Sequence, residues 1–399
     1  MKGSFFKRGC KCKRGNCTCN KKWTYVIDVG VNPKNGDRKQ KTKGGFKTEQ
    51  DARMAAEAYL RKVKNGDFID EDIIFKDFTQ EWLTYYIDRN APKPGTIDNR
   101  EYSITKLMPY FGYLKVKDIT EKNYQDALDD LKIKGLAKST LEGIHTTGGM
   151  IFKFAKNKKL LDENPAVNAF IRKDKQTIID EEEELPKFFE KEDLLKFLVT
   201  AKDNGLYMDD VIFTTLARTG MRVGELVSLQ WKDIDFKNKT IRITKTYYNK
   251  KNNTVNYQLV PPKTLKSRRK IAIDSTVIKA LKKHKTEQEL LIRRFGEKYS
   301  DYGYVFANFH RYPGFPLLIK TVEYRMKRLL KLSKLNTKLT PHSLRHTHTS
   351  LLAQAGATLE EIMDRLGHYD EKVTRKVYLH FTTEVKRAAS DKFSNLLED

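Results

Sequence analysis

The sequence predicts a multidomain chain that opens with a small three-stranded sheet plus a helix, continues in a helical middle domain, and ends in a mainly helical domain with a small antiparallel sheet. Three observations lead there. The length of 399 residues exceeds what one hydrophobic core usually organises. The apolar period changes along the chain from two, as in strands, to roughly 3.6, as in helices. The charge is unevenly spread: 77 Lys and Arg against 52 Asp and Glu leave a net +25. With 39% hydrophobic and 11% aromatic residues there is material for packed cores. A mean hydropathy of −0.65 and the lack of a long uncharged apolar run exclude a membrane span. Phe5 and Phe6 lead into Lys, Arg and Cys rather than an apolar segment, so no secretory signal is read and a cytoplasmic protein is expected. A charge this positive favours a polyanionic partner, nucleic acid first.

Residues 1–66 form the first expected domain and carry 18 Lys and Arg against 5 Asp and Glu, a net +13. All four cysteines fall there, as Cys10-x-Cys12-x4-Cys17-x-Cys19. Four soft ligands on a short basic loop could hold a structural zinc, since the metal offsets thiolate repulsion and closes the loop. Reduced unliganded thiols or a redox-labile pair are the alternatives. Trp23 to Val29 reads as a strand by its β-branched and aromatic content, Asn35-Gly36 as a turn, Arg38 to Thr42 as a second strand, and Gly45 to Lys47 as a short third. Thr48 with Asp51 caps a helix from Glu49 to Lys64 that keeps Ala55, Ala56, Tyr59, Leu60 and Val63 on one face. A basic ribbon of this width fits a DNA major groove.

Residues 67–172 repeat a helical apolar spacing four times: in the stretch of Phe75, Phe78, Trp82 and Tyr85 or Tyr86, then in Thr96 to Met108, Thr120 to Lys132 and Ser139 to Lys156. Thr96, Thr120 and Ser139 suit N-caps, and Pro92, Pro94 and Asn164-Pro165 mark connections. The aromatic stripe is expected to be core. Residues 173–186, with Asp180 to Glu184 and then Pro186, read as an exposed linker. A final domain is expected over residues 187–383, followed by a tail over 384–399.

The final domain carries the chemistry. Its first helical pattern breaks at Thr219-Gly220, after which Arg222, Gly224 and Glu225 open a new turn. Strand-like runs follow at Thr240 to Tyr248, Asn256 to Val260 and Arg268 to Ile273, with Lys263, Lys266 and Ser267 in a turn between the last two. Thr340-Pro341 opens a helix whose His342, Arg345 and His346 share a face. Leu366-Gly367-His368 ends another helix, and Thr374, Tyr378 and His380 follow.

In order these give T-G-x-R-x-G-E, K-T-x-x-S, H-x-L-R-H, L-G-H and T-x-x-x-Y-x-H, a series that resembles the tyrosine recombinases of the lambda-integrase family. The whole chain is similar to integrases of conjugative transposons and prophages. The paired C-x-C loop is its one noted departure from that pattern.

The resemblance implies an arm-site DNA-binding domain at 1–66, a core-binding domain at 67–172 and a catalytic domain at 187–383. The implied activity is cutting and rejoining of DNA through a 3′-phosphotyrosyl link, which integrates and excises a mobile element. The chemistry asks for these residue types. Arg222 and Arg345 suit the anionic phosphodiester, whose charge grows on attack. Tyr378, preceded by His368 and Thr374 at family spacing, is the expected nucleophile; a tyrosine has a reference pKa of about 10, so cations and an imidazole nearby should help it ionise as it attacks. His342 is the expected acid/base group and His368 a phosphate donor. By the family pattern Lys263, preferred to Lys266, protonates the leaving 5′-oxygen. Glu225 is expected to orient the Arg222 turn, and His346, His348 and His380 to pack or hydrogen-bond.

No catalytic cofactor and no ATP are expected, since the phosphotyrosyl bond conserves the phosphodiester energy. The implied partners are double-stranded DNA at core and arm sites, a homotetramer in which the tail with Leu396 and Leu397 docks on a neighbour, an excisionase and a host DNA-bending protein, all on the bacterial nucleoid. A type IB-like topoisomerase and a non-catalytic DNA-binding regulator of the same fold are the rivals. The basic first domain disfavours the former, and the presence of every expected cation disfavours the latter.

Overall fold

The computed structural model describes residues 3–12, 19–31, 38–64, 72–172, 187–250, 252–262, 267–367 and 374–379. The linker at 173–186, Cys17, Lys263, Lys266, His368, His380 and the tail lie outside them. The chain divides into two compact units, Met1–Ala91 with Asn99–Arg172, and Pro92–Asp98 with Lys173–Asp399.

The first unit begins with an antiparallel sheet of β1 (Gly3–Lys7), β2 (Trp23–Val31) and β3 (Arg38–Phe46), with β2 in the centre. Lys7 pairs with Trp23 and Gly3 with Ile27, while Tyr25 pairs with Lys43 and Trp23 with Phe46. The third strand is therefore not at Gly45 to Lys47, as the sequence suggested. It is Gly3–Lys7, upstream of the cysteines, and β3 runs on through Gly44-Gly45 to Phe46. Phe5 supplies the reason: it packs on the same cluster as Tyr25 and Ile27, so adding β1 to β2 removes apolar surface from water. Helix α1 (Glu49–Lys64) covers that face with Ala52 and Ala56. Its start is fixed reciprocally, Asp51 N donating to Thr48 Oγ1 at 3.1 Å and Thr48 N to Asp51 Oδ2 at 3.2 Å.

Four helices follow: α2 (Phe75–Asn90), α3 (Pro94–Phe111), α4 (Glu121–Ile133) and α5 (Lys138–Asn157). The expected aromatic stripe is core. Phe75, Phe78 and Trp82 are buried with Phe111, Tyr124 and Phe152, and edge-on rings such as Phe75 and Phe111, 5.5 Å apart, fill the centre. Thr120 caps α4 in a capping box with Asn123. The other two starts differ from expectation. Pro94 opens α3, so Thr96 is inside the helix, and Ala137 rather than Ser139 is the N-cap of α5. A proline pre-set at the helical φ and lacking an N–H makes the earlier start of α3 favourable.

The second unit packs α6 (Lys191–Asn204), α7 (Asp209–Thr219), α8 (Val223–Val227), α9 (Ser275–Phe295), α10 (Ile319–Leu332), α11 (Pro341–Gln354), α12 (Leu359–Leu366) and a last helical turn at residues 374–379, here α13, with two small sheets. One sheet is β4 (Ile234–Asp235), β5 (Thr240–Ile243) and β8 (Arg269–Ala272); the other is the hairpin of β6 (Thr246–Tyr248) and β7 (Gln258–Val260). The expected single run from Thr240 to Tyr248 is thus two strands in different sheets. The main core joins Phe197, Phe213, Leu226, Ile241, Leu281 and Leu344. A smaller one joins Ala353, Ile362, Leu366 and Val377, with Tyr378 packed against it. Among the described residues no helix is long and apolar enough to cross a membrane.

Candidate active site

The arginine turn is built on Gly220. This residue ends α7 at φ +63°, and a Cβ there would stand 2.6 Å from His348 Cδ2 and 2.8 Å from Leu366 Cδ2. Both the backbone conformation and the close approach demand glycine. Arg222 follows as the N-cap of α8, its N–H donating to Glu225 Oε2 at 3.0 Å and its guanidinium to Glu225 Oε1 at 3.1 Å. The sequence reading gave Glu225 the task of orienting this turn, and these bonds are what that task requires.

Glu225 is only 2% exposed, so a single partial partner would leave its charge poorly solvated. A second arginine, Arg269 of β8, meets it head-on, Nη2 to Oε2 at 2.9 Å and Nη1 to Oε1 at 3.2 Å. Burial pushes the Glu225 carboxyl up, but the hydrogen bonds and charge of Arg269, with Arg222 beside it, outweigh this and hold it below the usual range. Arg269 also donates from Nε to the Arg365 carbonyl at 2.8 Å and from Nη1 to the Ser267 carbonyl at 3.3 Å. Ser267 Oγ donates to the Gly367 carbonyl at 3.2 Å. The K-T-x-x-S turn and the L-G-H segment are therefore joined where each leaves the described residues. Lys263 and His368, the expected donors on those segments, lie just beyond.

Arg345 is buried in α11, 2% exposed. Its Nη1 donates to the Gly220 carbonyl at 2.6 Å and its Nη2 to the Leu366 carbonyl at 2.8 Å. The fork thus ties the end of the T-G turn to the end of α12 and leaves the guanidinium little freedom. His342, one turn earlier, is exposed, and its ring stands edge-on to His346 at a centroid distance of 4.6 Å. Burial, then the charges of His342 and Arg345, push His346 down to about 4. Tyr378 is half-buried on α13, packed on the cluster that contains Leu366, whose carbonyl receives Arg345.

His348 has the hydrogen-bonding role expected of it. Arg365 Nε donates to its Nε2 at 3.0 Å, so Nδ1 carries the proton and donates to the Ala217 carbonyl at 2.9 Å. Burial and then the Arg365 charge push it down to about 4. The unfolded chain, with a histidine near 6.5, takes up a proton that the folded chain refuses, so stability falls as pH drops from about 6.5 towards 4. Between neutral pH and about pH 5 the loss from His348 is about 2 kcal/mol. Urea unfolding of the second unit within the full chain should show it, and His348→Gln should flatten the slope by that amount; an unchanged slope would assign the acid sensitivity elsewhere.

Arg269 was missed as a site residue although its signal was present. In an alternating strand it shares a face with Ile271 and Ile273, and all three are at most 9% exposed. An arginine on the inward face of a strand requires a buried acid, and Glu225 is that acid.

The phage integrase family profile matches residues 187–384, an arm DNA-binding domain residues 13–65, and a phage integrase N-terminal SAM-like domain residues 74–132. The integrase of Staphylococcus phage L54a is 31% identical over 335 residues, 82% of this chain and 94% of that protein. The chain belongs to the phage integrase family of tyrosine recombinases. Family membership makes it a site-specific recombinase, an enzyme of DNA strand exchange. The ICEBs1 integrase of Bacillus subtilis is 29% identical over 308 residues, 76% of this chain and 79% of that protein. Among solved structures, the Tn1549 transposon integrase in complex with transposon right end DNA matches with a TM-score of 0.64 at 22% identity, over 79% of this chain and 99% of that one. A lambda integrase tetramer bound to a Holliday junction matches with a TM-score of 0.55 at 17% identity, over 89% and 92%. At these identities the likeness is one of fold.

Proposed function

We propose that this recombinase integrates and excises a mobile DNA element by way of a 3′-phosphotyrosyl intermediate. The observation that carries the reading is the seat of Arg345, a buried guanidinium fixed between the Gly220 and Leu366 carbonyls, with Arg222 anchored two residues beyond Gly220 and Tyr378 packed on the cluster that includes Leu366. Preorganised cations stabilise the charge that grows on a phosphoryl group under attack, and need not reorganise during the reaction.

In this mechanism the Tyr378 oxygen attacks phosphorus and its proton passes to His342. The bond to the 5′-oxygen breaks, Lys263 protonates that oxygen, and His368 donates to a non-bridging oxygen. The 5′-hydroxyl of another strand then reverses the step. No bond energy is lost, so no ATP is needed, and the fixed guanidinium groups stabilise the growing charge without a catalytic metal. Residues 1–66 would read arm sites with the sheet face that carries Ser4, Phe6, Val26 and Thr42, opposite the side where α1 packs on Tyr25 and Ile27. Residues 67–172 and 187–383 would hold the core site, with avidity set by linker reach. Four protomers would act on two duplexes in the cytoplasm, with an excisionase and a host DNA-bending protein directing the outcome.

A nicked attachment-site duplex that loses its 5′-hydroxyl fragment on cleavage tests the chemistry. A denaturant-resistant protein–DNA adduct is expected, formed equally well in EDTA, with the modified peptide containing Tyr378. An adduct on another residue, or one that forms only with added divalent metal, would overturn the proposal.

A further inference from the structure

The recombination chemistry leaves one group of ligating side chains unused. Cys10 and Cys12 follow β1, and Cys19 precedes β2. Their sulfur atoms all lie within 4.8 Å of one another, Cys19 and Cys10 at 3.5 Å. A tetrahedral zinc with bonds of about 2.3 Å sets its sulfurs about 3.8 Å apart, within this spread. A disulfide needs about 2.05 Å, well short of the 3.5 Å between Cys19 and Cys10.

The backbone around them is already drawn together. Gly9 turns the chain at φ +74°, Cys10 N donates to the Lys7 carbonyl at 3.0 Å, Lys7 Nζ donates to the Cys19 carbonyl at 3.2 Å, and Lys21 Nζ donates to the Gly9 carbonyl. The need for a cross-link is equally visible. This sheet and its helix bury only Tyr25, Ile27, Ala52 and Ala56 fully among the described residues, a core of the size that small domains commonly supplement with a metal or disulfides.

We infer that Cys10, Cys12 and Cys19 hold a structural zinc ion as thiolates, pinning the end of β1 to the start of β2. Cys17 lies outside the described residues, so the site is argued on three ligands. Three thiolates and one divalent cation leave a single negative charge, which the surrounding lysines offset.

Full-length protein, purified under reducing conditions and supplied with zinc, is expected to retain about one zinc per chain after desalting, as structural thiolate sites do. Cys10→Ser and Cys19→Ser should each lower that content several-fold. Because either variant could unfold the sheet, cobalt is the second probe: the intact protein refilled with Co²⁺ should show thiolate-to-cobalt charge-transfer absorption in the near ultraviolet. Zinc content far below one per chain, full content in the serine variants, or cobalt binding without the sulfur band would each overturn the site. Both measurements are made without DNA, so their result stands apart from the strand-exchange mechanism.

Discussion

Tyr378→Phe should bind an attachment-site duplex as well as the parent chain and form no covalent adduct with it. The loss expected is at least about four orders of magnitude in cleavage rate, the scale seen when an essential nucleophile is removed. The variant isolates chemistry from folding. The phenyl ring still packs on the cluster of Ala353, Ile362, Leu366 and Val377, so the unfolding free energy from urea titration should change by less than about 1 kcal/mol. The cations are also untouched, because Arg345 rests on the Gly220 and Leu366 carbonyls and Arg222 on Glu225. Affinity for the uncut phosphodiester should therefore survive, with binding measured by gel shift and adduct by denaturing electrophoresis on the nicked duplex. An adduct accumulating in the variant at the parent rate would remove Tyr378 from the mechanism.

What could be read from the residues follows from how local each signal is. Helices α2 to α5 were legible because an apolar stripe with a period near 3.6 is written in consecutive residues, and Thr120 announced its helix through a side chain that bonds three residues on. The motif residues Arg222, His342, Arg345 and Tyr378 stood out by spacing. Features that depend on pairing between distant segments were hidden. Residues Gly3–Lys7 give no sign of being a strand until β2 lies alongside, since five residues containing two phenylalanines fit many conformations. The split of Thr240 to Tyr248 between two sheets likewise depends on partners, β8 for one half and β7 for the other. The anchors of Arg345 are backbone carbonyls 125 and 21 residues away, and a carbonyl has no identity in sequence. Arg269 lies between these cases: its inward position follows from strand alternation, while its partner could be found only by folding.

The partner is what gives Glu225 its consequence for stability as well as for the arginine turn. Glu225→Ala should cost about 3–5 kcal/mol of stability, the usual consequence of leaving a buried charge without its counterpart, because the Arg269 side chain is 5% exposed and directs both terminal nitrogens at the carboxylate. The penalty should hold across neutral and mildly acidic pH. The folded carboxyl lies below its usual range, so its contribution is complete above about pH 4.3, the unfolded value, and fades only as pH falls through the folded value. Arg269→Met in the Glu225→Ala background should recover much of the stability, since an apolar side chain of similar reach carries no charge to strand. Cleavage should not recover with it. Arg222 would still lack the carboxylate that fixes its N–H and guanidinium, and a misplaced guanidinium stabilises the reacting phosphate less. Urea unfolding of the single and double variants, paired with single-turnover cleavage, separates the two roles of this carboxylate. A Glu225→Ala chain within about 1 kcal/mol of the parent would show that water reaches Arg269 and that the ion pair is not the frame of the site.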